Sequence, residues 1–360
     1  MYSKIIGVLG ATGLVGSEII RTIEKRKFPV SKCFFVGSGS RAGELINFKN
    51  INVPVISIDE FLCENISMDV LFSCASESVS EIYVSEISNK CTIVIDKTEY
   101  FRDKVDLIIP EINEFLINDA RIVSSPNCVV IPLALALNPF KMFIKRVIIS
   151  TYQSFSGAGM RSMSKFRTDT DSIMKEVSTS VEDMRSCIAA STNEFGFNVI
   201  PNIGLSNVSD GVFSEERKIV YELQKILGVD LPICVTCVRV PSMIGHGMSV
   251  NVELYDNFYD MLVIDNSIYK TNHLYDDDFI SIIKDLISQQ DGVQLNHSES
   301  GDSLKDCLNT SNVLVSRLRR DFTLKRGFSM WVCCDNLQKG AALNAVQIAE
   351  CKFNFKPELS

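Results

Sequence analysis

A glycine-rich turn near the start of the chain joins a short apolar run to a helical pattern. Residues 5–9 have the length and composition of a buried strand, residues 10–16 read GATGLVG, and residues 17–27 follow a helical pattern. Glycines at such a turn let backbone N–H groups approach a pyrophosphate at the start of the helix. Because a strand precedes the GxxGxxG turn and a helix follows it, the sequence predicts a dinucleotide-binding unit rather than a purely structural turn.

The apolar pattern changes along the chain and predicts two domains of different architecture. Continuous apolar runs alternate with helical segments in the first third, which is typical of a parallel, doubly wound sheet. These predicted strands are 32–36, 69–73, 91–95 and 107–110. Later runs alternate at period two, as in half-buried strands, at 146–154, 233–240, 248–254 and 328–333. We predict an α/β protein with an N-terminal Rossmann-like domain over 1–130, completed by a C-terminal helix within 336–360, and an α+β domain with a mixed sheet over 131–335.

Composition excludes several classes of protein. The 360 residues carry a formal net charge of −8, which argues against a nucleic-acid surface, and no apolar window is long enough to span a membrane. The N-terminus enters a strand pattern without a signal-peptide layout, so we predict a cytoplasmic protein whose twelve cysteines are reduced. Cys234 and Cys237 have CxxC spacing, but within a strand they would face opposite sides, so no metal site is predicted.

Cys128 is the candidate nucleophile. It follows Ser125-Pro126-Asn127, where the proline forces a turn, and precedes the apolar run 129–137, which can open a buried helix. A cysteine at the mouth of a helix lies near unpaired N–H groups and the positive end of the dipole, which lowers the pKa of a thiol and favours the thiolate. The alternative is an ordinary core cysteine.

The residues after the second predicted strand decide which dinucleotide fits. A carboxylate there would hold the ribose 2′-hydroxyl of NAD, and an arginine would hold the 2′-phosphate of NADP. Residues 37–41 read GSGSR, and the first acid is Glu44. Ser38 and Arg41 therefore favour NADP, although an arginine on a solvated loop would give the same pattern.

His246 and Arg239 form a second pair of candidates, on one strand-ending loop. Histidine is the natural proton shuttle near neutral pH. A guanidinium on the same loop suits bidentate binding of a carboxylate. A loop histidine with only a surface role is the competing interpretation.

Together these motifs give the chain a specific resemblance. It resembles the bacterial aspartate-β-semialdehyde dehydrogenase family in the stretches 10–16 (GATGLVG), 125–128 (SPNC), 150–153 (STYQ), 156–160 (SGAGM), 236–241 (TCVRVP), 335–342 (DNLQKGAA) and 344–350 (NAVQIAE). They follow the family's order over nearly the whole chain.

The resemblance implies a reaction and its catalytic residues. It implies a reversible, NADP-dependent reductive dephosphorylation of L-aspartyl-4-phosphate to L-aspartate 4-semialdehyde, in the biosynthesis of lysine and diaminopimelate, threonine and methionine. By analogy Cys128 is the nucleophile, His246 the acid/base, and Gln153 orients the acyl intermediate. The family is typically a homodimer joined through the second domain, which would be the catalytic and dimerisation domain.

The resemblance also implies the binding residues. Arg239 would hold the substrate α-carboxylate, Glu215 its amino group, and Arg102, Asn127 and Lys218 its phosphate. The implied cofactor-binding residues are Gly10, Thr12, Gly13, Leu14, Val15, Gly16, Ser38, Arg41, Ser73, Ser156, Gly157, Asn344 and Gln347.

Two alternative functions stay open at this point. N-acetylglutamyl-phosphate reductase shares the fold and the cysteine mechanism, but its cysteine motif usually has glycine in place of Asn127. A catalytically idle nucleotide-binding protein is the other alternative, because Val129-Val130 and Gly247-Met248 depart from the family pattern.

Overall fold

The computed structural model describes residues 3–64, 67–177, 180–190, 195–207, 209–265, 279–298 and 300–357. The chain forms two compact units. The first comprises Met1–Leu135, Lys225–Gly228 and Leu337–Ser360, and the second comprises Ala136–Gln224 and Val229–Asn336.

The first unit is built on a seven-stranded sheet. Its strands are β1 (Lys4–Leu9), β2 (Val30–Gly37), β3 (Leu45–Phe48), β4 (Ile51–Ser57), β5 (Met68–Ser73), β6 (Cys91–Asp96) and β7 (Ile122–Ser124). The strand order is β3-β4-β2-β1-β5-β6-β7, so the sheet grows from β1 in both directions. All neighbouring pairs are parallel except β3 with β4. The predicted doubly wound parallel sheet is therefore confirmed, with one antiparallel edge strand.

Helices complete this unit. They are α1 (Leu14–Lys25), α2 (Ile58–Cys63), α3 (Glu77–Val79), α4 (Ser85–Ile87), α5 (Pro110–Asn113), α6 (Val130–Leu137) and the C-terminal α12 (Leu343–Lys352). Apolar positions of the central strands are fully buried, as at Ile6 and Val8, and they share one core cluster with Ile19 of α1 and Val346 of α12. The side chains of α1 and α12 therefore help to cover the sheet.

The prediction of a strand over residues 107–110 is wrong. Leu107 forms a single isolated parallel bridge with Ser124, and Pro110 opens α5. The Asn113 amide oxygen accepts the Ile109 N–H at 2.9 Å, and its nitrogen donates to the Leu107 carbonyl at 2.8 Å. A proline without a donor and an asparagine that takes up the neighbouring backbone groups end the ladder here.

The second unit is built on a six-stranded mixed sheet, as predicted. Its strands are β8 (Ile144–Gln153), β9 (Ile233–Arg239), β10 (His246–Leu254), β11 (Val293–Leu295), β12 (Val313–Arg320) and β13 (Gly327–Cys334), and its helices are α7 (Gly159–Glu176), α8 (Val181–Ala190), α9 (Ser214–Leu227), α10 (Phe258–Asp265) and α11 (Phe279–Ser288). The order is β11-β12-β13-β10-β8-β9. The four inner strands pair antiparallel, whereas β9 and β11 pair parallel to their neighbours.

The two faces of the second sheet differ in burial. Along β10, Met248, Val250 and Val252 are fully buried, while the intervening residues are partly exposed. On β8, Ile148 and Tyr152 are 39% and 36% exposed. One face is therefore a core face, and the other leaves large apolar side chains accessible.

Candidate functional site

The glycine turn of the first unit has the geometry of a phosphate-binding turn. Gly10 has φ of +85°, and its N–H donates to the Val36 carbonyl at 2.9 Å. A Cβ on Gly16 would lie 2.2 Å from the Gly10 carbonyl oxygen, so only glycine fits there. No side chain caps the N-terminus of α1. The first N–H groups of that helix therefore face the place where a dinucleotide phosphate binds in such folds.

Arg41 and Ser38 lie after β2, where the sequence predicted a 2′-phosphate site. Arg41 Nε is 2.9 Å from Glu44 Oε1 in an exposed ion pair, and Ser38 Oγ is 3.0 Å from Ser40 Oγ. A cavity of about 240 Å³ is lined by Thr12 of the glycine turn, Arg41 and Glu44, among others. Sequence reasoning identified Arg41 but missed its carboxylate partner.

Ser73 lies at the carboxyl end of β5 and is fully buried. Its Oγ is 3.0 Å from Ser80 Oγ, which donates to Asp96 Oδ2 at 2.8 Å. The predicted cofactor residue Ser73 is thus fixed by a buried hydrogen-bonded chain.

The Cys128 loop connects β7 to α6. The Asn127 side-chain oxygen accepts the Val129 N–H at 2.8 Å, and the Asn127 carbonyl accepts the Val130 N–H at 3.0 Å. Helix α6 begins two residues after Cys128, whose side chain is partly exposed and forms no disulfide. Asn127 therefore caps the turn that presents Cys128 ahead of the helix.

The π-helical turn Gln338–Ala342 and α12 contact this loop. A Cβ on Gly340 would lie 3.2 Å from the Cys128 Cβ, so Gly340 packs directly on the cysteine. The buried Asn344 amide donates to Ser125 Oγ at 2.8 Å and to the Ile108 carbonyl at 2.9 Å. The Asn344 Oδ1 atom is buried and has no hydrogen-bond partner among the described residues.

Gln347, another predicted cofactor-binding residue, belongs to a polar cluster of the first unit. Its Oε1 accepts from Lys339 Nζ at 2.8 Å, and its Nε2 donates to Glu111 Oε1 at 2.9 Å. Lys339 is fully buried and pairs with Glu111. Although burial opposes it, the Lys339 ammonium holds the pKa of Glu111 below its usual value. Sequence reasoning missed this ion pair.

His246 of the second unit is fully buried. Its Nδ1 accepts the Ser154 backbone N–H at 3.0 Å, so the neutral ring carries its proton on Nε2. Burial, together with the positive charge of Arg239, lowers the pKa of His246 to about 3. The imidazole is therefore neutral at physiological pH, and Nε2 is its proton-donating atom.

Arg239 and Gly157 surround the reactive edge of the imidazole. Arg239 Nη1 donates to the Ser154 carbonyl at 2.7 Å. A Cβ on Gly157 would lie 3.0 Å from His246 Nε2 and 3.3 Å from Arg239 Nη1. Any side chain at position 157 would therefore crowd these two nitrogens.

Asn336 hydrogen-bonds two segments close to His246, and sequence reasoning did not single it out. Its Oδ1 accepts the Gly245 N–H at 2.8 Å, and its Nδ2 donates to Ser156 Oγ at 2.9 Å. It thus connects the residue before His246 with the predicted cofactor residue Ser156. The only sequence signal was its place in the 335–342 stretch.

The remaining predicted catalytic and substrate residues lie on β8, on α9 and in a turn of the first unit. Gln153 ends β8, is buried, and pairs in register with Arg239 of β9. Glu215 and Lys218 are three residues apart on α9 and share one helix face, Glu215 being 9% exposed. In the first unit, Arg102 donates from Nη2 to the Lys97 carbonyl at 3.2 Å. The structure thus brings together Gln153, Arg239, His246 and Gly157 in one unit, and Asn127, Cys128 and Asn344 in the other.

Two negative findings concern the described residues. Within the ranges given above, no group of histidine, cysteine and acidic side chains is arranged to hold a metal ion. In the same part of the chain, every helix is too short or too polar to cross a bilayer.

Two protein-family models match the chain. Residues 5–120 match the family described as semialdehyde dehydrogenase, NAD binding domain, and residues 136–339 match semialdehyde dehydrogenase, dimerisation domain. These matches, together with the fold, place the chain among the semialdehyde dehydrogenases, with an NAD(P)-binding domain and a dimerisation domain.

Individual relatives narrow the assignment. The chain is 37% identical to aspartate-semialdehyde dehydrogenase of Rickettsia typhi, over 97% of both chains, and 34% identical to that of Bacillus subtilis, over 96% of both. A crystal structure of aspartate semialdehyde dehydrogenase II from Vibrio cholerae, complexed with ASA, superposes with a TM-score of 0.84 at 28% identity, covering 98% of this chain and 99% of that one. The chain belongs to the aspartate-semialdehyde dehydrogenase family, which confirms the resemblance seen in its motifs.

Proposed function

We propose that the protein catalyses the reversible, NADP-dependent conversion of L-aspartyl-4-phosphate to L-aspartate 4-semialdehyde and phosphate. The observation that supports this function is sequence similarity, over nearly the full chain, to enzymes named aspartate-semialdehyde dehydrogenase. The chain also has Cys128, Arg239 and His246, the residues to which the chemistry is assigned. The product would serve the biosynthesis of lysine and diaminopimelate, threonine and methionine. The twelve cysteines form no disulfides, which supports a reducing compartment, and we assign the enzyme to the cytoplasm.

Cys128 is assigned the nucleophilic step. Its thiolate attacks the acyl carbon of the aspartyl phosphate, the C–O bond to phosphate breaks, and a thioester with inorganic phosphate results. In the reverse direction phosphate cleaves the same thioester. The turn that Asn127 caps supports this role, because it presents the sulfur at the start of α6, where the helix dipole favours an anion.

His246 is assigned the acid/base role. Reduction of the thioester leaves negative charge on the thiohemiacetal oxygen, which a hydrogen-bond donor stabilises until the C–S bond breaks, the aldehyde carbonyl forms and Cys128 leaves as the thiolate. The neutral ring with hydrogen on Nε2 supports this role, since Ser154 fixes the tautomer through Nδ1. Gln153 would orient the acyl group.

The charges of the substrate match those of the assigned side chains. Arg239 would bind the α-carboxylate and Glu215 the α-ammonium, and both are buried enough for strong electrostatic contacts. Arg102, Asn127 and Lys218 would bind the phosphate. An N-acetylated substrate has no ammonium for Glu215, so this set favours the aspartyl substrate over N-acetylglutamyl phosphate.

Polar groups of the first unit fit a nicotinamide dinucleotide. The glycine turn with Gly13 and the N–H groups at the start of α1, including those of Leu14 and Val15, would hold the pyrophosphate. The buried Asn344 Oδ1, without a partner among the described residues, is an acceptor suited to the carboxamide N–H. When bound, the cofactor supplies or accepts the hydride. Ser73 and Gln347 of the first unit, and Ser156 and Gly157 of the second, are also assigned to the cofactor.

We propose NADP rather than NAD as the preferred cofactor. Arg41 and Ser38 follow β2, and no carboxylate precedes Glu44 in that loop. The exposed pairing of Arg41 with Glu44 is weak enough for a 2′-phosphate to displace.

We further propose a homodimer that covers the open face of the second sheet. Tyr152 and Trp331 lie on that face with their ring centroids 5.5 Å apart, and Ile148 is exposed beside them in the strand. A face with a Tyr–Trp pair and aliphatic neighbours has the composition of an interface core.

A spectrophotometric assay tests the function. Purified protein should reduce NADP with aspartate semialdehyde only when phosphate is present, and should use N-acetylglutamate semialdehyde poorly. Cys128→Ala should abolish turnover while NADP binding stays within about twofold, because the thiol makes the covalent bond and the glycine turn is untouched. Absence of phosphate-dependent turnover under conditions where the Bacillus subtilis enzyme works would refute the function.

A further inference from the structure

Lys97 places a positive charge beside the Cys128 loop. Lys97 is the first residue after β6. Its Nζ donates to Ser125 Oγ at 3.0 Å and to the Pro126 carbonyl at 3.0 Å. A third contact, at 3.4 Å, reaches the Gly340 carbonyl. The ammonium therefore joins three segments of the first unit that are far apart in sequence.

These three contacts of the Lys97 ammonium are with residues that adjoin Cys128. Ser125 and Pro126 belong to the turn that ends in Cys128. Gly340 packs on Cys128, because a Cβ there would lie 3.2 Å from the Cys128 Cβ and 3.1 Å from its carbonyl oxygen. Lys97 thus holds both the backbone that carries Cys128 and the segment against which its side chain rests.

Charges of both signs lie close to Lys97. The neighbouring Asp96 carboxylate accepts from Ser80 Oγ at 2.8 Å and from the Thr98 N–H at 2.8 Å. Arg102 adds a second cation, donating to the Lys97 carbonyl. A fixed ammonium in a partly buried site stabilises a nearby anion more strongly than a mobile surface lysine does.

We infer that Lys97 is a positioning residue for Cys128, which fixes the cysteine loop and stabilises its thiolate through the ammonium charge. This inference rests on the proposed function, because it takes Cys128 as the nucleophile. Lys97 acts through Ser125, Pro126 and Gly340 and is assigned no contact with substrate.

The test measures alkylation of Cys128 as a function of pH. Native protein and the variants Lys97→Met, Lys97→Gln and Lys97→Arg are treated with iodoacetamide between pH 5.5 and 9.5, and the Cys128 peptide is quantified by mass spectrometry. Lys25→Met is the matched control, because Lys25 is an exposed lysine in the last turn of α1. Circular dichroism and NADP binding report folding, and kcat is measured over the same pH range.

Removal of the charge should slow alkylation selectively. Lys97→Met and Lys97→Gln should lower the rate at pH 7 about tenfold and move the pH midpoint up by about one unit, as expected for loss of one nearby opposite charge. Their kcat should recover partly at high pH. Lys97→Arg should keep the midpoint within about 0.3 units, since the charge is retained. Lys25→Met should match the native protein.

Specific results would overturn the inference. Native alkylation profiles in folded Lys97→Met or Lys97→Gln would exclude an electrostatic effect on Cys128. Loss of folding in both neutral variants would assign Lys97 to stability alone. If Cys128 of the native protein reacts no faster than the other thiols, the nucleophile assignment itself fails, which is a different outcome.

Discussion

Acidification should destabilise the protein through His246. The imidazole is fully buried, and burial together with the Arg239 charge lowers its pKa from the ordinary 6.5 to about 3. Between these two values the unfolded chain binds a proton that the folded protein excludes. The free energy of unfolding should therefore fall as the pH drops below 6.5, and this loss should continue until the pH approaches 3.

The magnitude follows from the interval between the two pKa values. At pH 5.0 the unfolded histidine lies 1.5 units below its own pKa, which corresponds to a loss of about 2 kcal/mol relative to pH 7.5. This figure does not depend on the folded pKa as long as that value stays below about 4. The full shift would correspond to about 5 kcal/mol at the acid limit.

Urea unfolding at pH 7.5 and pH 5.0 measures this term. Trp331 is the single tryptophan, and it lies on β13, which pairs with the strand of His246, so its fluorescence reports the second unit. His246→Asn keeps an acceptor for the Ser154 N–H but cannot be protonated, and His297→Asn is a matched exposed control. The native protein and His297→Asn should each lose about 2 kcal/mol more than His246→Asn. Equal losses in all three proteins would refute the reasoning.

Three further perturbations test the assigned residues. Gly157→Ala puts a methyl group 3.0 Å from His246 Nε2. It should lower kcat/KM by about tenfold or more with little change in melting temperature. Native kinetics would contradict the assignment of Gly157 and His246 to the active site. Glu44→Gln frees Arg41 and should raise the preference for NADP over NAD by up to about fivefold, measured as a ratio of kcat/KM values; an unchanged ratio would exclude Arg41 from the 2′-phosphate site. Tyr152→Asp should shift the sedimentation coefficient from dimer to monomer, and a dimer persisting at micromolar concentration would place the interface elsewhere.

Substitution of His246 should also slow catalysis, and this effect is measured separately from its effect on stability. His246→Asn should lower kcat by roughly 10²–10⁴-fold, because the amide cannot replace the imidazole as the acid/base group. NADP binding should be unaffected in the same variant. A decrease of less than a few-fold in kcat would remove His246 from the proton-transfer step.

Local sequence pattern predicted the type of each sheet and its central strands, but it missed β3, β4, β7, β11 and β12. Continuous apolar runs indicated the parallel strands and period-two alternation indicated the mixed sheet, because each pattern follows from which faces of a strand are buried. The same reasoning failed at residues 107–110, which are as apolar as a strand. There Pro110 and the Asn113 side chain removed the backbone groups that a ladder requires. The apolar composition of these residues indicated their burial correctly, but it did not show whether their backbone groups form the hydrogen bonds of a strand.

The glycine turn, the Cys128 loop and the Arg239–His246 loop were identifiable from sequence because each is a contiguous motif. Their chemistry depended on contacts that no local pattern contains. The tautomer of His246 is set by Ser154, 92 residues away, and the Cys128 loop is tied to Asn344 through a contact spanning 219 residues. No local sequence pattern distinguishes Lys97 from any other lysine that follows a strand.

The sequence by itself determined the type of each sheet, its central strands and which side chains could do the chemistry, because propensity, periodicity and turn residues act over a few positions. Only the tertiary structure decided the protonation state of His246, the partners of Lys97 and the burial of an Asn344 oxygen without a partner among the described residues. Burial and charge at a point in space depend on every segment folded around it, and that sum is defined only when the chain is packed.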